Sequence, residues 1–230
     1  MAAEPGPASV REAREYVKGR AGVNSLAVID SGGRLHGHAP GRTYVAASTV
    51  KAMILVAYLR RIRSRGVSPA ERRALAAMIQ RSDNGAATAL YRRVGPGGLR
   101  RLAARAHLRA FSAQGNWPRA QLSAADGARF MMRFSRLTPR RSRRLARKLL
   151  SSVVPRQRWG ASRTALEAGW AVYFKGGWRR TARGRLVHEV ALFTRGRSRF
   201  AVAVMTDGNP SHGYGTATLR GVATRLFAGG

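Results

Sequence analysis

The chain of 230 residues has no cysteine, which excludes disulfides, thiolate metal sites and cysteine nucleophiles together. Acidic residues are scarce: ten Asp and Glu stand against 43 Lys and Arg, a formal charge of +33. No apolar run approaches the roughly 20 residues that a membrane-spanning helix requires. The N-terminus, Met1-Ala-Ala-Glu-Pro-Gly-Pro, lacks the charged and apolar regions of a signal peptide, so the chain is either cytoplasmic or numbered from beyond a removed export signal.

What remains is a chain with 44% hydrophobic residues, enough to bury a substantial core as one large domain or two intimately packed subdomains. Its charge must attract polyanions. Nucleic acid, an anionic cell-wall polymer and a membrane surface all qualify, but the arginines are dispersed, with no helix-turn-helix, zinc-finger or aromatic stacking signature. Specific nucleic-acid recognition is therefore not expected.

The element pattern reads as a helix over 10–20, a buried strand from Asn24 to Asp30, a Ser31-Gly-Gly-Arg34 turn and a second strand through Leu35 to His38. His36 and His38 alternate on that strand with no third ligand nearby, so they read as solvent-facing and no metal site is expected. Ser68-Pro-Ala-Glu71 is a capping box opening a helix to about Gln80. Further helices are expected from beyond Gly85 to Val94, through His107 after the Gly95-Pro-Gly-Gly98 turn, from Ser123-Ala-Ala-Asp126, and from Thr138-Pro139 to Leu150. Asp126 is expected to reach back as a cap. Residues 110–122 and 151–169 read as irregular, the latter with one short helix. Strands starting at Trp170, Leu186 and Phe200 have short turns between them, and a helix from about Gly215 to Phe227 closes the chain. The expected fold is α+β: an antiparallel sheet of about five strands with terminal helices, built from 1–45 and 166–230, and an inserted all-helical subdomain over 46–165.

Three polar signatures stand out. Ser48-Thr-Val-Lys51 begins an apolar helix, so its serine and lysine share a face where N–H groups and the positive dipole end favour developing negative charge. Lys51 lies among Met53, Ile54, Leu55 and Val56, and burial there lowers its pKa toward that of a usable base. Alone, this pattern reads as an N-cap and a snorkelling lysine. Ser82-Asp-Asn84 follows in an interhelical turn, and Lys175-Gly-Gly177 is placed at a strand end. Ser82 can relay a proton, Asn84 can hold a substrate amide, Lys175 supplies charge, Gly176 and Gly177 allow close approach, and the N–H of Trp178 can join that of Ser48 in an oxyanion hole.

These elements, in this order, resemble those of the penicillin-recognising serine hydrolases, in particular class A β-lactamases. The resemblance runs over nearly the whole chain and implies an antiparallel sheet beside a helical subdomain with the site between. It implies Ser48 as nucleophile, Lys51 as base, Ser82 as proton shuttle, Asn84 as substrate contact and Lys175 as electrostatic anchor, with Asp83 bracing the turn and no cofactor. In the antibiotic-hydrolysing members a loop glutamate activates the deacylating water, whereas residues 110–122 hold no carboxylate. Asp126 and Glu167 are poor positional substitutes, so deacylation is expected to be slow. Gly176 stands where the family has a hydroxyl for the substrate carboxylate, leaving that task to Lys175 and Arg179 or Arg180. The connection from Lys51 to Ser82 is short for the family, which implies a more open site. Three functions follow: a hydrolase of β-lactams or related amides, a peptidase or esterase on peptidoglycan-type or small acyl substrates, and a weakly catalytic binding protein for an anionic cell-envelope polymer. The expected protein is a secreted or cell-envelope monomer.

Overall fold

A computed structural model describes residues 4–228 of the protein. Its main sheet is wholly antiparallel and is built from both ends of the chain. The N-terminal part follows helix α1 (Pro7–Lys18), which has proline in its first turn, and consists of the hairpin β1 (Val23–Ile29) and β2 (Leu35–His38), in register Leu26 to His38. The C-terminal part supplies β5 (Ala171–Thr181), β6 (Gly184–Arg195) and β7 (Ser198–Asn209), followed by α8 (His212–Phe227). β7 pairs with β1, which joins the two parts in the strand order β2-β1-β7-β6-β5.

The intervening chain forms β3 (Thr43–Val45), a 3-10 turn at Ala47–Thr49, and helices α2 (Val50–Arg61), α3 (Pro69–Gln80) and α4 (Asn84–Arg105). Then come β4 (Gln121–Ser123), α5 (Ala124–Leu137), α6 (Arg143–Ser151) and α7 (Ala161–Glu167). The capping box forms as expected: Ser68 caps the Glu71 N–H while Glu71 reaches back. α4 is bent at Gly95, whose φ of +65° breaks the helix ahead of Pro96, where a glycine turn was expected.

Two helical layers cover opposite faces of the sheet. Gly215 of α8 lies against Val187, and Gly127 of α5 against Val190 and Ala203; residues 187 and 190 point to opposite sides of β6 because side chains alternate along a strand. In both helices glycine permits the close approach, since a Cβ would stand 2.5 and 2.8 Å from a valine methyl.

The structure corrects three expectations. Lys175-Gly176-Gly177 does not end a strand: β5 runs on to Thr181, because pairing with β6 continues through Gly176–Glu189 and Gly177–His188 to the Thr181–Gly184 turn. Residues 110–122 are not wholly irregular, since β4 pairs with β3 from Val45–Gln121 to Thr43–Ser123. Asp126 does not reach back as a cap. Ser123 caps the Asp126 N–H, while the fully buried Asp126 carboxylate accepts from the N–H groups of Arg109 and Ala110 at 2.9 and 2.7 Å and pairs with Arg129.

Candidate active site

The turn carrying Ser48 is held from three sides. β3–β4 pairing fixes residues 43–45, and the Ala46 N–H donates to Ala120 O at 2.8 Å. The third hold comes from His188 on β6. The Thr206 N–H donates to its Nδ1, leaving Nε2 to donate to Val45 O at 3.1 Å. Burial pushes the His188 pKa down to about 4, so the ring is neutral and this tautomer is fixed by its partners. Ala47 has a φ of +47°, a strained conformation for a residue with a side chain, of a kind that persists only where neighbours enforce it. Ser48 itself is half-buried, and among the described residues its hydroxyl forms no hydrogen bond.

Lys51 lies one helical turn on, fully buried. Its Nζ donates to Ser82 O at 2.6 Å and to Asn84 Oδ1 at 2.7 Å, and Ser82 Oγ stands 3.2 Å away. Burial is the chief cause of a pKa drawn down from 10.5 to about 8, against a smaller pull upward from Asp83. A neutral amine has two N–H donors and one lone pair. The two shorter contacts use the donors, which leaves the lone pair for a serine hydroxyl.

Ser82 reaches this position through a backbone φ of +60° at the end of α3. Asp83 caps α4 through the Ala86 N–H at 2.7 Å and places Asn84 as the first helical residue. The 152–157 segment supports the turn: the Val154 N–H donates to Gln80 O and Gln157 Nε2 to Arg81 O.

β5 closes the other side. A Cβ at Gly177 would lie 3.0 Å from the Ser48 nitrogen and 3.1 Å from that of Thr49, so glycine relieves the crowding where this strand meets the Ser48 turn. Lys175 is fully buried, with Nζ donating to Gly176 O at 2.9 Å. Burial first and the charge of Lys51 second hold its pKa well below the usual amine value. An amine so placed resists charging, which makes it a weaker anion anchor than expected. Arg179 is exposed and lines a cavity of about 520 Å³ with Val45, Asn116, Arg119 and Gln121.

The structure thus joins Lys51, Ser82 and Asn84 in one hydrogen-bonded group, sets Gly177 of β5 against the Ser48 turn and Trp178 beside Lys175, and adds residues the sequence reading missed. Trp117 turns its ring toward Lys51, with Nζ 4.8 Å from the ring centroid. Trp159 packs over Gly176, 3.0 Å from where a Cβ would stand, and meets Trp178 and His212 edge to face at 4.9 and 5.1 Å. Glu189, opposite Gly176, accepts from the N–H and hydroxyl of Ser162 and so anchors α7 beneath Trp159. Its pKa is raised to about 7 by burial. An adjacent His-Glu pair within the otherwise apolar run 186–193 was the available signal.

Solved structures of similar shape define the class of fold. A class A β-lactamase from Mycobacterium abscessus aligns with a TM-score of 0.78 at 20% identity, covering 95% of this chain and 97% of that one. The TLA-1 extended-spectrum β-lactamase aligns at 0.85 and 13% identity (98% and 99% covered), and PBP-A at 0.81 and 16% (100% and 98%). The fold is therefore the β-lactamase and transpeptidase-like one. Residues 66–228 match the model of the Beta-lactamase enzyme family (Beta-lactamase2), and the chain belongs to that family. No curated protein matches the sequence.

Proposed function

We propose that the protein is an acyl-serine hydrolase of the β-lactamase class that acylates readily and deacylates slowly. The observation that carries this is Lys51: a fully buried amine with a pKa of about 8, one helical turn from Ser48 and bonded to the Ser82-Asp-Asn84 turn. At pH 7 such an amine is neutral in roughly one molecule in ten. Ser48 Oγ attacks the substrate carbonyl as its proton passes to the Lys51 lone pair, and the oxyanion forms toward the N–H groups of Ser48 and Trp178. The C–N bond then breaks, and Ser82 Oγ delivers a proton to the leaving nitrogen while taking one back from Lys51.

Slow hydrolysis of the ester follows from what surrounds Lys51. Trp117 covers its face, and the three carboxylates between Ser82 and Lys175 are committed elsewhere. Asp83 caps a helix, Asp126 is locked in backbone hydrogen bonds, and Glu167 pairs with Arg163 on the surface. None is placed to activate water on the acyl-enzyme. The substrate is a β-lactam or related amide; a peptidoglycan-type peptide or small ester uses the same steps. Export belongs to this reading, since such substrates lie outside the cytoplasm, and no helix among the described residues is long and apolar enough to cross a membrane. The anionic polymer implied by the charge is a surface partner, not the acyl donor.

A chromogenic β-lactam assay with intact-mass analysis tests the reading. The expected result is an adduct on Ser48 that persists for many minutes with little turnover, and none in Ser48→Ala. Absence of any adduct on the wild-type protein would leave only a binding protein.

A further inference from the structure

Away from the cleft, where α2 ends beside the second half of α4, Arg60, Arg61, Arg63, Arg101 and Arg105 line one cavity of about 380 Å³. The rest of its wall is small or aliphatic apart from Ser64, and it contains no carboxylate and no aromatic ring. Among the described residues none of the five guanidiniums is ion-paired with a carboxylate. Glu71, the next carboxylate along the chain, is already taken by Arg65 and Arg93.

The ordinary explanation is that basic residues favour helix C-termini, and Arg60, Arg61 and Arg105 do occupy last turns. Each helix end is equivalent to about half a negative charge, so two ends offset about one charge of five. The rest repel one another. Arg60, fixed by a 2.7 Å bond to Leu137 O, has its pKa lowered by burial and then by Arg105 and Arg63. A cavity that gathers this much unpaired charge is stabilised by an anion that enters it. Beyond the connection from α2 to α3 lie two adjoining cavities lined by Arg72, Arg141, Arg144 and Lys148, so the cationic surface continues past one ion's reach.

We infer that the cavity formed by Arg60, Arg61, Arg63, Arg101 and Arg105 binds a phosphate-rich anionic polymer that carries no bases, which the neighbouring arginine-lined groove extends. Multiplicity argues for a polymer over a single ion. The lack of any ring in these walls argues against single-stranded nucleic acid, whose bases are held by stacking on aromatic side chains; a duplex, held through its phosphates, is set against the base-free polymer in the test. The inference is independent of the acyl-serine reading.

The test is calorimetric titration of the whole chain, at near-physiological salt, with tripolyphosphate and with long-chain inorganic polyphosphate. Replacing Arg101→Glu with Arg105→Glu is expected to weaken both by about tenfold or more and to flatten the salt dependence. A control pair with the same charge change, Arg197→Glu with Arg220→Glu, is expected to shift them less than about twofold. Circular dichroism checks folding; if the first pair unfolds, Arg101→Gln with Arg105→Gln replaces it, with a smaller loss in the same direction. Three results would overturn the inference: no binding by the wild-type chain, an equal loss in the control pair, or tighter binding of a single-stranded or duplex oligonucleotide with the same number of phosphates.

Discussion

The molecule carries positive charge in two chemically distinct ways, one inside the cleft and one on its helices. Of its 43 basic residues only four are lysines, and two of these, Lys51 and Lys175, are the fully buried amines of the cleft. Elsewhere the chain uses arginine almost without exception. An amine yields its proton when burial penalises the charge, whereas a guanidinium stays charged at any working pH. The division teaches that the two buried lysines stand where burial favours release of the proton, the property that the proposed base at Lys51 would use. The arginine surface carries charge that no working pH removes.

The largest effect should come from erasing that difference. Lys51→Arg keeps the charge and removes the base, so acylation of Ser48 should fall by about 10²–10⁴, measured by stopped-flow with a chromogenic β-lactam. A loss under about threefold would mean that Lys51 only fills space. Next, Trp117→Glu puts a carboxylate beside Lys51 and should speed loss of the adduct about tenfold or more, seen as a shorter-lived mass shift.

A smaller effect contrasts two neighbours within β6. Glu189, raised to about 7, contributes stability that is present below its unfolded pKa and is lost as pH rises through 7. His188, lowered to about 4, contributes the opposite slope: its stability is present above about 6.5 and is lost as pH falls toward 4. In the native chain the two oppose each other between about pH 4.5 and 6.5. Thermal melts of Glu189→Gln should therefore show stability climbing with pH over that window, and an unchanged profile would remove the buried-carboxylate account. The smallest effect belongs to Glu167→Gln, whose exposed ion pair with Arg163 predicts acyl-enzyme lifetimes within about twofold of wild type.

Local features of the fold were the legible ones. The capping box at Ser68, the glycine-proline break at 95–96 and the three polar signatures each declare themselves within a few residues. What required coordinates was set by distant pairing. β3 and β4 are three residues long, too short for alternation to register. The glycines after Lys175 read as a terminator, yet Gly177 is the point where β5 touches the Ser48 turn and Gly176 is the point where Trp159 packs. Trp117 and Trp159 sit in weakly patterned stretches, and nothing nearby in sequence places one at Lys51 and the other on Gly176. The arginine cavity was illegible for the same reason: about forty residues separate its two halves, and any pair among so many arginines looks ordinary.

The most direct test of a neutral cleft amine is the pH dependence of Ser48 acylation in the wild-type chain between pH 6 and 9.5. With Lys51 near 8, the rate should rise about tenfold per unit at low pH, bend near 8 and level above it. A rate that is flat across the range, or that falls as the pH rises through 8, would contradict the account.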